Sequence, residues 1–425
     1  MEIEKLYPEC KDNLWGGMKL VEKYGKQTEK RPCAESWEIS YHPNGKTRLA
    51  NGKTLEETAS AAELGANATA FDRFPMLVKF IDAAQDLSVQ VHPTDEYALR
   101  DYNSYGKTEM WYIAEAEEGA GIYLGFRESV TKEECEKAIQ ENTLSDKLRF
   151  YPVKKGEHYF VPAGTVHAIC AGCLVYEIQQ NCDLTYRIYD YGRRDKNGNL
   201  RELHVKKALE TACLEAKEKI AFSAECAEGE RIGVSRYFTL TRLKLNGEKR
   251  LKTDAASFRA VTCVSGEGKI GDKIMRRGDT FFVPATYGEF TVSGAAELLI
   301  AEVRKYHAAV SYPQNCGELS LADDLGAVLW RDTFAAGTPG VLTENEKRAL
   351  ASGFEKMFRK TGITARDITY IDFCGENHAI EEIFGNFHKA LGLAVRNVKV
   401  VFIDYRKRNF LVEIRQFIAV FYSNK

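Results

Sequence analysis

Residues 87–93 read Leu-Ser-Val-Gln-Val-His-Pro, and their polar and apolar side chains alternate along the chain. Successive side chains of a β-strand point to opposite faces, so Ser88, Gln90 and His92 lie on one face of the predicted strand. The aliphatic residues that alternate with them take the other face and indicate contact with an apolar core. We therefore expect a half-polar strand within a β-rich fold.

A second polar-faced strand is predicted at residues 106–113, Gly-Lys-Thr-Glu-Met-Trp-Tyr-Ile, where Lys107 and Glu109 share one face. His167 follows the turn sequence Pro-Ala-Gly-Thr-Val at residues 162–166. A single histidine or glutamate on a strand is usually a satisfied polar residue and not a ligand. Two alternating strands and the turn together favour a small β-barrel with a polar mouth.

The predicted metal ligands are two imidazoles, one carboxylate and one neutral amide oxygen: Gln90, His92, Glu109 and His167. This donor set suits a divalent ion and leaves coordination positions open. An open position beside polar neighbours is typical of a catalytic metal and not of a structural one.

The bulk properties exclude several classes of protein. A chain of 425 residues is long enough for two or three domains, and its formal net charge of −2 argues against nucleic-acid binding as the main function. The sequence has no run of eighteen apolar residues that would predict a transmembrane helix, and its first residues lack the layout of a secretion signal. We therefore expect a cytoplasmic protein with no nucleic-acid or membrane partner.

The eleven cysteines are odd in number and scattered, which favours reduced thiols over a disulfide framework. Cys170 and Cys173 form a C-x-x-C motif, but no second such motif completes a four-thiolate site. The Ala-Gly spacer is typical of a hairpin turn, so we interpret both residues as incidental thiols.

A repeat indicates two related β-rich halves. Residues 154–163, Lys-Lys-Gly-Glu-His-Tyr-Phe-Val-Pro-Ala, resemble residues 276–285, Arg-Arg-Gly-Asp-Thr-Phe-Phe-Val-Pro-Ala. The turn after the first copy leads to His167, whereas residues 286–290 contain no histidine. The repeat predicts two similar β-barrels, a metal-binding one within residues 1–230 and a metal-free one within residues 231–306.

Two further segments are predicted to contain helices. Residues 128–149 are expected to form a short helical insertion, because acidic residues fill the first turn after a potential N-cap, Thr131. Residues 307–425 are expected to form a small α/β domain of unknown role. Its predicted elements are a helix from Thr343 to about Lys360, a strand at Asp367–Phe373, a helix at His378–Leu391, and strands at Val398–Ile403 and Phe410–Ile414.

Four motifs in this order resemble a known family. They are residues 87–93, residues 106–112, Pro-Ala-Gly-Thr-Val-His-Ala at 162–168 and Asn-Cys-Asp-Leu-Thr-Tyr-Arg-Ile-Tyr-Asp at 181–190. Together they resemble type I phosphomannose isomerase in its short bacterial form, over about residues 1–306. The resemblance implies a mainly β fold with two cupin-like, jelly-roll halves.

The resemblance also implies roles for individual residues. It implies one Zn²⁺ per chain on Gln90, His92, Glu109 and His167. It implies that Arg187 is catalytic and that Lys107 and Asp183 lie near the sugar. We further expect Ser88, Lys79 and Glu177 to bind the substrate, with Ser88 and Lys79 as candidates for contact with its phosphate.

Strand alternation predicts that Asp183, Thr185, Arg187 and Tyr189 share one face. If that face lines the barrel mouth, the planar guanidinium of Arg187 can hold a developing oxyanion or a phosphate through paired hydrogen bonds. Without the resemblance, an ion pair between Arg187 and Asp183 would be an equally good interpretation.

The implied reaction interconverts mannose 6-phosphate and fructose 6-phosphate through a cis-enediol(ate). As a hypothesis, His92 and Asp183 assist ring opening, and proton transfer falls either to Lys107 or to a zinc-bound water. The implied partner is a phosphorylated hexose, and the sequence does not distinguish a monomer from a homodimer.

Two other functions stay open on the sequence. The chain could be a metal-binding cupin with different chemistry, such as a dioxygenase or a sugar epimerase, or a sugar-sensing module without catalytic activity. The neutral Gln90 and the two cations Lys107 and Arg187 favour a phosphosugar over the first alternative. The complete set of site residues argues against the second.

Overall fold

A computed structural model describes residues 1–194, 198–216, 230–311, 316–323, 328–335, 352–353, 356–357, 368–373 and 399–402. The chain forms two compact units, one of residues 1–232 and 240–302, the other of residues 233–239 and 303–425. No helix in the described ranges is long and apolar enough to cross a membrane.

The first unit contains most of the described elements. Its strands, of which β13 and β14 each have residues in the second unit, are β1 (Glu4–Lys5), β2 (Glu9–Lys11), β3 (Glu35–Ile39), β4 (Met76–Asp82), β5 (Val89–Val91), β6 (Glu109–Ala116), β7 (Gly121–Phe126), β8 (Leu148–Pro152), β9 (His158–Val161), β10 (His167–Ile169), β11 (Cys173–Gln180), β12 (Tyr186–Tyr189), β13 (Glu230–Val234), β14 (Thr239–Lys252), β15 (Arg259–Ile270), β16 (Lys273–Arg276), β17 (Thr280–Val283) and β18 (Glu289–Glu302). Its α-helices are α1 (Lys19–Glu22), α2 (Leu55–Thr58), α3 (Ala61–Leu64), α4 (Asp95–Tyr102), α5 (Lys132–Gln140) and α6 (Val205–Thr211).

The first half of this unit, strands β2 to β12, consists of two sheets. One has the order β12-β5-β10-β7-β8 and the other the order β2-β3-β4-β11-β6-β9. Strand β11 lies between β4 and β6, and all eight of its residues are buried, among them Val175, Tyr176 and Ile178, which are of types that favour strands. A shared apolar cluster joins Trp111, Ile113 and Val175 of the larger sheet to Ile122, Leu124 and Ile169 of the smaller one.

The second half, strands β14 to β18, forms a sheet in which β17, β15, β18 and β14 are successive neighbours and β16 pairs with β15. Strand β1 at the chain start extends this sheet, since Glu4 pairs with Phe282. Its core is a cluster of buried apolar side chains that includes Val261, Phe281 and Ile300. The prediction of a mainly β fold with two cupin-like halves is therefore confirmed.

The predicted helical insertion is also confirmed. Helix α5 begins after Thr131, whose hydroxyl accepts a hydrogen bond from the Glu134 amide while the Glu134 carboxylate accepts one from the Thr131 amide. This capping box satisfies amides at the helix start that would otherwise lack acceptors. A 3₁₀ turn at Leu144–Lys147 then leads into β8.

The second unit contains a five-stranded sheet. Its strands are β19 (Tyr306–Ser311), β20 (Cys316–Asp323), β21 (Val328–Ala335), β22 (Ile368–Phe373) and β23 (Lys399–Phe402), in the order β21-β20-β19-β22-β23. Strands β19, β22 and β23 run parallel, whereas β20 is antiparallel to both of its neighbours.

Strands β22 and β23 confirm the strands predicted at 367–373 and 398–403. The predicted helix at 378–391 and the predicted strand at 410–414 lie outside the described residues, as does most of the predicted helix at 343–360.

Candidate metal centre and substrate cavity

Three predicted ligands converge in the first half. One ligand atom from each of His92, Glu109 and His167 lies within 4.8 Å of the others, and all three side chains are buried. His92 directly follows β5, Glu109 begins β6 and His167 begins β10. The cluster therefore joins the two sheets of the first half.

Backbone carbonyls fix the orientation of both imidazoles. His92 Nδ1 donates to the Leu184 carbonyl at 2.9 Å, and His167 Nδ1 donates to the Thr165 carbonyl at 2.8 Å. Their Nε2 atoms face the Glu109 carboxylate, at 3.1 Å from Oε1 for His92 and 3.6 Å from Oε2 for His167. A hydrogen bond from one ring nitrogen to a carbonyl is the usual way in which proteins present the other nitrogen to a metal.

Strand register brings the fourth predicted ligand to the same face. Gln90 pairs with His167 across β5 and β10, and with Arg187 across β5 and β12. Side chains of directly opposed residues in antiparallel strands point to the same side of the sheet. Gln90 therefore lies between His167 and Arg187, on the face that carries the cluster.

The charges around Glu109 keep it ionised. Lys107 Nζ lies 2.9 Å from Glu109 Oε1 and 3.3 Å from His92 Nε2. Burial raises the pKa of Glu109, but the positive charge of Lys107 and contact with His92 outweigh burial and hold it well below its usual value. Burial, together with the charge of Lys107, lowers the pKa of His92 to about 3, so this imidazole is neutral near pH 7.

The donor set fits a small divalent cation. Glu109 Oε2 is fully buried and accepts no hydrogen bond from the part of the chain that the structure describes. A buried carboxylate oxygen without a donor is costly unless a cation lies beside it. Two neutral imidazole nitrogens, one carboxylate and the adjacent amide of Gln90 match the nitrogen and oxygen ligands of catalytic zinc sites.

A cavity of about 210 Å³ lies beside the cluster. Its lining contains six of the residues predicted for the site: Lys79, Ser88, Gln90, Lys107, Glu177 and Arg187. The remaining lining residues are Asn13, Trp15, Glu35, Ile81, Leu87, Thr185 and Arg201. The structure thus brings the predicted substrate-binding residues and the candidate metal ligands together.

A chain of buried charges forms one wall of this cavity. Lys79 Nζ lies 3.1 Å from Glu177 Oε1 and 3.4 Å from Glu35 Oε2. The Trp111 indole donates to Glu177 Oε2 at 2.8 Å. Burial and the negative charge of Glu109 raise the pKa of Glu177. Burial alone would lower the pKa of Lys79, but the negative charges of Glu177 and Glu35 outweigh burial and raise it.

The sequence-based prediction missed Glu35, which belongs to this wall. Its carboxylate accepts hydrogen bonds from Asn13 and Trp37, both at 2.8 Å. The sequence carries no signal for this role, because Glu35 looks like an ordinary strand residue until β3 pairs with β4, where Trp37 lies opposite Lys79. Arg201 was missed as well, and no repeating pattern around it points to the cavity.

Asp183 is not among the cavity-lining residues. Its side chain is 37% exposed and lies 3.3 Å from His42 Nε2, while Asn44 donates to its other oxygen at 2.5 Å. The hydrogen bond from His42 outweighs burial and lowers the pKa of Asp183 to about 2. Among the described residues no ion pair joins Asp183 to Arg187, whose Nη1 instead donates to the Glu202 carbonyl at 2.8 Å.

The prediction that Tyr189 shares the face of Arg187 was wrong. Arg187 pairs with Gln90 but Tyr189 pairs with Val89, because a bulge in β12 shifts the register by one residue. Tyr189 therefore packs in the apolar cluster that contains Val89 and Val91. A one-residue shift reverses the face to which every later side chain points.

The cysteine interpretation agrees with the structure. Cys170 and Cys173 are free, buried thiols, and burial raises the pKa of each to about 12. Thiols that stay protonated are poor nucleophiles and poor metal ligands.

Comparison with known proteins finds relatives of both halves. A family model described as phosphomannose isomerase type I, catalytic domain, matches residues 3–124, and one described as mannose-6-phosphate isomerase, cupin domain, matches residues 231–303. A mannose-6-phosphate isomerase of Bacillus subtilis is 36% identical over 327 residues, which are 71% of this chain and 100% of that protein. One of Streptococcus mutans is 34% identical over 298 residues, 67% of this chain and 93% of that protein.

The fold agrees as well. The crystal structure of the mannose 6-phosphate isomerase from Bacillus subtilis superposes with a TM-score of 0.64 at 36% identity, covering 71% of this chain and 99% of that one. The Bacillus subtilis relative is matched over its whole length, and the family models of the catalytic domain and the cupin domain both match this chain. The chain therefore belongs to the type I phosphomannose isomerase family, the mannose-6-phosphate isomerases.

Proposed function

We propose that this chain interconverts mannose 6-phosphate and fructose 6-phosphate as a zinc-dependent aldose–ketose isomerase with a cis-enediol(ate) intermediate. The observation that carries the proposal is the convergence of His92, Glu109 and His167 beside a cavity that is lined by Lys107 and Arg187. The family supplies the reaction, and the positions of these side chains support the roles assigned below.

We assign Gln90, His92, Glu109 and His167 as the zinc ligands. When bound, zinc supplies positive charge that polarises the sugar oxygens and favours the enediolate, without any redox step. The carbonyl contacts of both histidines would hold the ligand set in place before substrate arrives.

Proton transfer between C1 and C2 requires a group that faces both the ligand cluster and the cavity. Lys107 meets this requirement, because its Nζ contacts Glu109 and His92 while its side chain lines the cavity. Arg187 also lines the cavity, next to Gln90 in the sheet, and its guanidinium would stabilise the charge that develops on the sugar oxygens.

Ring opening needs a proton carrier at the edge of the site. Both ring nitrogens of His92 are engaged, one by the Leu184 carbonyl and the other toward Glu109, which supports a ligand role over proton transfer. The family resemblance implies that Asp183 lies near the sugar, so we assign ring opening to this carboxylate, which directly precedes Leu184 in the chain. Ser88, Lys79 and Glu177 would bind the substrate from the cavity wall.

The test is a coupled assay on mannose 6-phosphate with the purified chain. We expect turnover that a chelator abolishes and that added zinc restores, together with about one zinc per chain by elemental analysis. Tightly held ferrous iron with no turnover would contradict the isomerase proposal and favour an oxygenase.

The intermediate is tested separately with substrate deuterated at C2. An enediol(ate) predicts that part of the deuterium exchanges with solvent during conversion. Complete transfer of the deuterium to C1, without any solvent hydrogen in the product, would indicate a hydride shift and would overturn this part of the proposal.

A further inference from the structure

We propose that Arg201 binds the phosphate group of the substrate at the arginine-rich end of the cavity, an inference that rests on the function proposed above. Arg201 lies outside the four motifs by which the family resemblance was identified. Its side chain nevertheless lines the same cavity as Arg187 and Gln90.

Positive charge is in excess at this end. Three guanidinium groups, those of Arg187, Arg193 and Arg201, lie around one buried carboxylate, Asp190. Arg193 Nη2 is 2.5 Å from Asp190 Oδ1, and Arg201 Nη1 is 3.2 Å from the same oxygen. Among the described residues another carboxylate, that of Glu202, is 83% exposed and is therefore screened by solvent.

The other cations of the cavity are already paired. Lys79 lies between Glu35 and Glu177, and Lys107 contacts Glu109. A dianionic phosphate would find little excess positive charge beside either lysine. The end of the cavity with Arg187 and Arg201 offers positive charge that the described residues leave largely uncompensated, which favours it as the phosphate position.

Hydrogen-bond donors also remain available there. Arg201 uses Nη1 for Asp190, and its Nη2 and Nε donate to no acceptor within the described ranges. Arg187 uses Nη1 for the Glu202 carbonyl, and its buried Nε has no acceptor in the same part of the chain. A phosphate offers three acceptor oxygens in the geometry that guanidinium groups bind best.

The electrostatics agree with this geometry. Burial lowers the pKa of Arg187, and the charges of Arg201 and Arg193 lower it further. An anion held by Arg201 would offset this repulsion. Arg187 would then be left to stabilise the enediolate, so the two arginines would divide binding and catalysis between them.

This division predicts a split in the kinetic constants. In Arg201→Gln, Asp190 keeps its contact with Arg193, so we expect the fold and the zinc content to persist. We expect KM for mannose 6-phosphate to rise roughly 10- to 100-fold while kcat stays within about threefold. Arg201→Lys keeps the positive charge but lacks the paired donors of the guanidinium, so it should recover only part of the affinity.

Arg194 provides the matched control. It is exposed and belongs to the same stretch of chain, and among the described residues its side chain donates to the Gly198 carbonyl at 2.7 Å, so Arg194→Gln removes an equal charge outside the cavity. We expect its KM to stay within about twofold of the wild type. An equal rise of KM in both variants would attribute the effect to general charge and would overturn the proposal.

Calorimetry separates phosphate binding from turnover. A hexitol phosphate cannot isomerise, and it should bind the zinc-loaded wild type. Its affinity should fall roughly 10- to 100-fold in Arg201→Gln. The same hexitol without phosphate should bind both proteins equally weakly. If the wild type isomerises mannose 6-phosphate but Arg201→Gln has the same KM and the same affinity for the hexitol phosphate as the wild type, only the inference about Arg201 is contradicted. If the wild type shows no turnover, the proposed function fails first.

Discussion

The two cupin halves share the same strand register but carry side chains of opposite charge at equivalent positions. In the first half Glu109 pairs with Val161 across β6 and β9, and in the second half Arg259 pairs with Val283 across β15 and β17. Arg259 thus occupies the position of a candidate metal ligand. It forms an ion pair with Glu302, whose Oε2 lies 3.3 Å from Arg259 Nε.

The neighbouring pair of residues in each sheet also differs between the two halves. Glu177 pairs with Trp111 in the first half, and Ile300 pairs with Val261 at the corresponding positions in the second. A buried aliphatic side chain contributes roughly 1.5–3 kcal/mol to stability, whereas a buried carboxylate must be compensated by partners such as Lys79 and the Trp111 indole. The same framework therefore supports either a packed core or a charged cavity, and the inward side chains decide which.

The comparison predicts that metal binding belongs to the first half alone. His167 and Glu289 lie at equal distances after the repeated Val-Pro-Ala, but only His167 is buried beside two other ligands. In His167→Ala we expect zinc to be lost and isomerase activity to fall to background, because the ion loses one of its neutral nitrogen ligands.

The matched control is Glu289→Ala, which removes an exposed carboxylate from the second half. Elemental analysis and the coupled assay should find both zinc and turnover unchanged in this variant. A second zinc ion per chain in the wild type, or zinc loss in Glu289→Ala, would break the distinction between the halves.

The second prediction separates catalysis from metal binding within the first half. Arg187→Ala should lower kcat roughly 10²- to 10³-fold, since it removes a donor aimed at developing negative charge, while leaving zinc bound. Arg276→Ala removes an exposed arginine from β16 of the second half and should leave kcat unchanged. Parallel loss of zinc and activity in Arg187→Ala would instead make this residue a support for the metal centre.

Much of this contrast could be read from the sequence. Alternation in residues 87–93 and 106–113 predicted the faces of Gln90, His92 and Glu109, because strands β5 and β6 are regular there. The repeat around residues 154–163 and 276–285 predicted one half with a histidine and one without. Both signals are local, and local pattern is what a strand preserves.

The parts that could not be predicted depend on contacts far apart in the chain. Tyr189 was assigned to the wrong face because a bulge in β12 leaves no mark in the local pattern. Glu35 looked like an ordinary strand residue until pairing with β4 brought it to Lys79. Arg201 reaches the cavity from an irregular segment, where periodicity carries no information.

The third prediction tests whether the second half uses charge for stability alone. Arg259→Ala removes one partner of the buried Glu302 and should lower the free energy of unfolding by roughly 1–3 kcal/mol, as measured by urea titration. The folded fraction should keep the wild-type KM and kcat. A change in the kinetics of folded Arg259→Ala would show that the second half contributes to the site.

The smallest effect is expected for the pair of His42 and Asp183 in the first half, because the Asp183 side chain is 37% exposed whereas Glu302 in the second half is buried. The hydrogen bond from His42 lowers the pKa of Asp183 from its ordinary 3.8 to about 2. A carboxyl whose pKa is lowered in the folded state stabilises the fold above its unfolded pKa, and this stabilisation disappears as the pH falls from about 4 to about 2. In His42→Phe we expect acid unfolding to begin at a higher pH by less than about one unit, with stability at pH 7 reduced only slightly because solvent screens the pair.

Circular dichroism during acid titration measures this shift, and His42→Phe combined with Asp183→Asn should show no larger shift than Asp183→Asn alone. The ring of His42 packs edge-on against Trp37, with 5.8 Å between the ring centroids. A larger shift in the double variant would therefore mean that His42 stabilises the first half through this packing and not through Asp183.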